Sequence, residues 1–187
     1  MRWQPLLAEI RARKLVLARL DPRAGMPVLP PAGAAPVSLA GVERRLGRPL
    51  PPSYRELLLQ HDGLPGFYQG AGLLGVRPLV RGTYVDTARL YLDAPGVIPF
   101  GIDGAGEIIF AWDTAAPRSD GELPVLVWVN EIGERVPSFP AFLELVMEML
   151  GAEIAERQRL LGRTIAIGDR AARPRAPLDL LGGFAAA

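Results

Sequence analysis

The side chains of this sequence with the most chemical potential are carboxylates concentrated between positions 99 and 134. This stretch contains seven acidic residues and a single basic one, Arg118. Two neighbouring carboxylates can perform general acid–base chemistry, as in glycoside hydrolysis. That reaction also needs a sugar-sized aromatic cleft, and no pattern in the sequence indicates one. An enzyme of this kind predicts a deep pocket that holds at least two of Asp103, Glu107 and Asp113. The seven residues are Asp103, Glu107, Asp113, Asp120, Glu122, Glu131 and Glu134.

Other catalytic or metal-binding patterns are incomplete. The chain has no cysteine and one histidine, His61, which excludes thiolate zinc sites and cysteine nucleophiles. His61 precedes Asp62, but no GxSxG serine accompanies them, and a cation at a helix C-terminus is favourable without any function. Asp103, Glu107 and Asp113 lack the alternating spacing of an EF-hand calcium loop. We therefore predict no catalytic residue, no metal and no cofactor.

A glycine-rich segment from Gly70 to Gly75 matches the letters GxGxxG. A dinucleotide site needs a strand before this motif and a helix after it, so that the pyrophosphate meets the helix N-terminus. Here a turn precedes the motif and a short strand is predicted within Leu73–Val80. The segment is therefore interpreted as a glycine-rich, irregular loop.

Charge is distributed unevenly along the chain. Residues 1–48 contain nine basic and three acidic side chains, whereas residues 49–150 contain six basic and thirteen acidic ones. An acidic surface repels phosphate, so we predict that the central region does not bind nucleic acid. Such a surface suits a basic protein partner, in which case Trp112 and the seven carboxylates are candidate contacts. A solvated sheet edge protected by charge explains the same residues without any function.

Hydrophobic periodicity predicts the elements that carry these side chains. Tyr54, Leu57 and Leu58 share one face of a helix whose prolines and Gly63 mark its two ends. The predicted helices cover Trp3–Leu20, a short segment capped by Ser38, Pro51–His61, and a segment capped by Ser138 that includes Phe139 and Leu150. The predicted strands cover Val97–Ile102, Glu107–Trp112 and Pro124–Asn130. Tyr84, Ala88 and Tyr91 suggest one or two helical turns.

Together these elements predict an α+β fold, in which helices flank a mainly antiparallel sheet covered on one face. We divide the chain into a basic amphipathic helix at 1–21 and a linker rich in proline, alanine and glycine at 22–37. A domain at 38–150 and a helical extension with a tail at 151–187 complete the division. No signal peptide and no membrane-length apolar run is visible, which favours a cytoplasmic protein without membrane contact.

Three segments, in order, resemble the SUKH superfamily, specifically its Smi/Knr-type domain. They are VERRLGRPLPPSYRELLLQHDG from Val42 to Gly63, IPFGIDGAGEIIFAWD from Ile98 to Asp113, and VPSFPAFLELVMEML from Val136 to Leu150. The second resembles the family block I-x-F-G-x-[DN]-G-x-G-[DE]-x-[YF]-x-x-D. The resemblance covers about residues 38–150 and leaves both ends of the chain unexplained.

The resemblance implies an α+β domain without known enzymatic activity. Bacterial members of this superfamily are commonly immunity proteins that bind and neutralise a cognate toxin, whereas fungal members are regulators and interaction hubs. The family's glycine–acid pair corresponds to Gly106 and Glu107, and its aspartate after the strand corresponds to Asp113. We therefore expect an immunity protein that binds a basic toxin. The alternative is a regulatory scaffold that uses the same domain and its terminal extensions.

Overall fold

The computed structural model describes residues 3–21, 29–82, 96–129 and 132–171. These residues form five helices and one six-stranded antiparallel sheet, whose strand order β1 to β6 follows the chain. This confirms the predicted α+β class. The helices are α1 (Gln4–Leu20), α2 (Pro36–Leu46), α3 (Pro52–Gln60), α4 (Val76–Arg81) and α5 (Phe139–Ala171). The strands are β1 (Leu64–Tyr68), β2 (Ala71–Leu73), β3 (Val97–Ile102), β4 (Ile108–Asp113), β5 (Val125–Val129) and β6 (Ile132–Val136).

Helix α3 begins and ends where its sequence predicts. Pro52 occupies the first helical position, where no backbone N–H is needed, and Gly63 adopts a φ of +88° just after the helix. Tyr54, Leu57 and Leu58 are all fully buried. The apolar face of this helix therefore packs into the core, as its spacing predicts.

The segment around the glycines differs from its prediction. Leu64–Tyr68 and Ala71–Leu73 form a hairpin, and its turn residues Gln69 and Gly70 both have positive φ, as a type I′ turn requires. The strand predicted within 73–80 is wrong, because β2 ends at Leu73 and Val76–Arg81 is helical. Pro78 fits there because it lies in the first turn, where the amide hydrogen has no intrahelical acceptor.

Of the two predicted serine caps, one is wrong and one is confirmed. Helix α2 begins at Pro36, so Ser38 lies inside the helix and is not its cap as predicted. Proline favours a first helical position, which explains the earlier start. Ser138 does cap α5, since its Oγ accepts the amide hydrogen of Ala141 at 3.4 Å. The helical turns predicted around Tyr84–Tyr91 lie outside the described residues.

One face of the sheet packs against α3 and α5 through aromatic rings. Phe100 stacks on Trp112 with ring centroids 4.7 Å apart, and the edge of Tyr54 meets both rings. Phe139 and Phe142 of α5 close the cluster and are fully buried. Phe100 is the extra residue at the register shift between β3 and β4, so Phe100 faces the helices whereas Ile102 lies with Ile109 on the opposite face.

Helix α1 belongs to the same core. Trp3 at its N-cap and Ile10 and Leu17 within it are 2%, 2% and 5% exposed. The Arg13 guanidinium donates to the carbonyl oxygen of Met147 at 3.0 Å, and Arg157 pairs with Asp21 at 3.1 Å. Contacts along both helices advance in the same direction, from Arg13 with Met147 to Asp21 with Arg157. The two helices therefore run parallel.

Candidate functional site

The acidic residues predicted as one surface are spread over the sheet. Asp103 and Glu107 lie in the turn between β3 and β4, whereas Asp113 is the last residue of β4. A strand rises about 3.3 Å per residue, so the six residues of β4 place Asp113 roughly 17 Å from that turn. Asp113 is therefore too far from the turn to share a pocket with Asp103 or Glu107.

The β3–β4 turn holds one carboxylate in place and leaves another in solvent. Asp103 Oδ1 accepts the amide hydrogen of Ile108 at 3.2 Å, which fixes the aspartate inside its own turn. Gly106 has a φ of +79°, a conformation that L side chains rarely adopt. Glu107 is exposed, as is Glu134 in β6. Glu131 lies outside the described residues.

Two other predicted carboxylates are paired with arginines. Asp113 accepts from the Arg135 guanidinium of β6 at 3.0 Å, reaching diagonally across β5. Arg118 lies 3.2 Å from Asp120 and lowers the pKa of that carboxyl, chiefly by its hydrogen bond. Their negative charge is partly compensated, so they attract a basic partner less than free carboxylates do.

Two of the predicted contacts are buried, and their assignment to a surface is corrected. Trp112 is 1% exposed inside the aromatic cluster, because β4 turns its even-numbered side chains from Ile108 to Trp112 towards the helices. Glu122 is 8% exposed, and its Oε1 accepts the amide hydrogen of Ser53 at 2.7 Å. Glu122 thus supplies the side-chain cap that α3 lacks within its own sequence.

A groove of about 470 Å³ lies between the β1–β2 hairpin and the β3–β4 turn. Asp62 and Asp103 line it, and among the described residues of its wall there is no basic side chain. We call it the acidic groove. Its remaining wall combines apolar residues with the glycines Gly63, Gly66, Gly70, Gly72, Gly75 and Gly104.

The fold holds Asp62 rigidly at this groove. Its Oδ1 accepts the amide hydrogen of Val76 at 2.6 Å, at the first residue of α4. A side chain at position 75 would collide, since a Cβ there would lie 2.6 Å from the same oxygen. Gly75 therefore makes room for this carboxylate contact, and the glycines bring backbone to part of the groove wall.

Sequence reasoning did not identify Asp62 as a site residue. Asp62 and Asp103 are 41 positions apart, and only the pairing of β2 with β3, in which Gly72 faces Ile102, brings their segments together. No local pattern signals this pairing, because β2 has only three residues. The nearest sequence signal was the Asp-Gly pair at the end of α3.

The acidic groove does not hold the pair of carboxylates that was predicted for an enzyme. Asp103 lines it, but neither Glu107 nor Asp113 does. Within the described ranges, no three histidine, aspartate or glutamate side chains are grouped closely enough to hold a metal ion. A search of the described helices for one long and apolar enough to cross a membrane found none.

Comparison with known proteins agrees with the fold and with the ordered motifs. No curated protein matches the chain. The model of the SMI1 / KNR4 family (SUKH-1) matches residues 33–147, which include all six strands and helices α2, α3 and α4. The chain therefore belongs to the SMI1 / KNR4 family (SUKH-1).

Proposed function

We propose that this protein is an immunity protein, which neutralises a cognate toxin by binding a basic segment of it in the acidic groove. The observation that carries the proposal is that two fixed carboxylates, Asp62 and Asp103, share a groove without a basic residue on its described wall. Membership of the SMI1 / KNR4 family (SUKH-1) supports a binding role of this kind.

The groove suits an arginine or lysine side chain of a partner. A guanidinium can donate to a carboxylate through two parallel hydrogen bonds, which gives both affinity and orientation. The glycine-lined wall allows the partner's backbone to approach closely. Glu107 is exposed in the same turn as Asp103, so its charge would speed the encounter with a basic surface.

The other predicted contacts have smaller parts in this proposal. Asp113, Asp120 and Glu134 are surface charges outside the groove wall and contribute to attraction at longer range. Trp112 and Glu122 are structural, because both are buried.

The test is co-expression with the product of the neighbouring gene, with cell survival and binding affinity as readouts. A double variant, Asp103→Asn with Glu107→Gln, removes two charges but keeps an oxygen that can accept from Ile108. We expect the dissociation constant to rise at least tenfold, because a hydrogen bond to a charged group is worth about 1.5–3 kcal/mol. The matched control is Glu144→Gln with Glu148→Gln, which removes two exposed charges from α5.

A second variant fills the groove without touching a charge. A Cβ at Gly104 meets no atom within 4 Å, so Gly104→Gln should fold normally and obstruct the groove. Protection that survives this variant and the double variant would refute the acidic groove as the binding site. No complex with the neighbouring product and no protection from its toxicity would refute the immunity role itself.

A regulatory scaffold is the second candidate. Helix α5 continues to Ala171, well beyond the Arg157–Asp21 pair that marks the end of α1. A helix that projects in this way could recruit a partner without the groove. Deletion of residues 163–187 should then abolish capture of the partner, while the double variant in the turn should leave it bound.

A further inference from the structure

A second cavity, of about 330 Å³, lies on the opposite side of β1 and is bounded by α1, Pro30 and the end of α3. We call it the α1 pocket. Leu64, Pro65 and Gly66 of β1 line both this pocket and the acidic groove. Its volume lies at the lower end of the range of small-molecule sites, about 300–1,000 Å³.

The inner wall of the α1 pocket is apolar. Trp3 and Phe67 are only 2% and 4% exposed, and Leu7 and Leu64 lie half-buried beside them. The indole N–H of Trp3 donates to Glu56 Oε2 at 2.7 Å, which fixes the ring as part of the wall. The pocket therefore offers a preformed apolar surface, with no free polar atom contributed by the indole.

Basic and polar side chains from α1 and α3 surround this apolar wall. Arg11 and Lys14 lie one turn apart on α1, and His61 lies across from them at the end of α3. No aspartate or glutamate is among the described residues that line the pocket. Glu56, the carboxylate on Trp3, is engaged by the indole.

Lys14 is the only lysine of the chain, and the residue is half-buried at this pocket. It donates to the carbonyl oxygen of Gly66, and no carboxylate of the described residues forms an ion pair with it. Burial lowers the pKa of this ammonium. An ammonium has three donors, so two remain for a bound anion. Such an anion would restore electrostatic compensation to a partly desolvated charge.

We propose that the α1 pocket binds a small carboxylate with an apolar body, of the size of a medium-chain fatty acid. The carboxylate accepts from Lys14 and Arg11, and the hydrocarbon lies on Leu7, Leu64 and Phe67. The α1 pocket takes an anion whereas the acidic groove takes a cation, so the two sites select ligands of opposite charge.

The experiment titrates decanoate, below its micelle-forming concentration, into the full chain and follows the indole signals by NMR. Trp3→Phe assigns the Trp3 signal among the three tryptophans. Decanol has the same apolar body without the charge, and acetate has the charge without the body. We expect decanoate to shift the Trp3 signal and to bind at least tenfold more tightly than either, because a charged hydrogen bond and apolar burial each contribute.

Variants on α1 test the charge directly. Lys14→Met should weaken decanoate at least tenfold, and Arg11→Gln should weaken it severalfold. The matched control Arg19→Gln removes an equal charge from an exposed position further along the same helix that does not line the pocket, and should change affinity by less than twofold. If Lys14→Met does not fold, the affinity of Arg11→Gln for decanoate tests the role of charge. Arg11 is exposed, so its replacement should leave the fold intact.

Three results would overturn the proposal. If decanol binds as tightly as decanoate, Lys14 and Arg11 do not contribute to affinity through the charge of the ligand. Absence of any shift with decanoate at millimolar concentration would show that the pocket takes no such ligand. Binding to vesicles of anionic phospholipid, without binding of monomeric decanoate, would assign the basic face of α1 to a membrane surface instead.

Discussion

Replacement of Tyr54 by phenylalanine should destabilise the protein in a way that depends on pH. The side chain is fully buried, and its hydroxyl donates to the carbonyl oxygen of Leu74 at 2.7 Å. Phenylalanine keeps the ring contacts with Phe100 and Trp112 but leaves that carbonyl without this donor. The loss of a partner by a buried polar group costs about 1–3 kcal/mol, and we expect about 1.5 kcal/mol at pH 7. For a chain of this size the melting temperature should fall by roughly 3–6 °C.

The dependence of the free energy of unfolding on pH above 10 gives a more specific test. Burial, with a smaller contribution from the charge of Asp62, raises the pKa of Tyr54 well above its ordinary value of 10.0. The unfolded chain then loses this proton near pH 10 while the folded protein retains it. The free energy of unfolding therefore falls as the pH rises above 10, and by pH 11 Tyr54 accounts for a loss of about 1.4 kcal/mol. Tyr54→Phe is free of this loss.

The prediction is that the difference of about 1.5 kcal/mol between the two proteins shrinks to nearly zero at pH 11. Urea unfolding followed by circular dichroism at pH 7, 9 and 11 measures it. Tyr68, whose pKa burial raises to about 12, adds a similar alkaline loss, but it does so in both proteins and cancels in the difference. A difference that stays constant from pH 7 to pH 11 would refute the assignment of the alkaline loss to the Tyr54 phenol.

Three further substitutions test separate contacts by urea unfolding. Glu122→Gln weakens the cap on the Ser53 amide and should cost about 1 kcal/mol, whereas an unchanged midpoint would contradict the capping role. Gly63→Ala should cost several kcal/mol, since Gly63 has a φ of +88° and its Cβ would lie 2.7 Å from backbone atoms, while Gly104→Ala should be nearly neutral. Arg135→Gln breaks a partly exposed ion pair and should change stability by less than about 1 kcal/mol; a larger loss would show that the pair is buried in solution.

The sequence predicted elements whose signal is local. Helix α3 has prolines at its start and a glycine at its end, and β3 to β5 have continuous apolar runs, so their positions were predicted to within one or two residues. Strands β1 and β6 were not predicted. The first has Pro65 and Gly66 inside it, and the second has Gly133, Glu134 and Arg135 at its centre, so neither resembles a strand until its neighbour is known.

The site was less predictable than the fold, because it depends on distant pairing. The carboxylates between 99 and 134 were identified as a group from charge alone, yet the sheet sends Trp112 to the core and pairs Asp113 with Arg135. The number of acidic residues in a segment can be read from the sequence, but the face of the strand on which each one lies cannot. Asp62 joins the groove only through the short β2 strand, whose three residues carry no periodic signal.

The parallel packing of α1 on α5 also constrains how the protein is made. Arg13 and its acceptor Met147 are 134 positions apart. A ribosome adds about 5–20 residues per second, so α1 emerges roughly 7–27 s before its packing partner. During that interval the face that carries Trp3, Ile10 and Leu17 has no completed core to enter. Synthesis of this chain therefore includes a period in which the apolar face of α1 is open to chaperones, and α1 completes its packing only after α5 has been made.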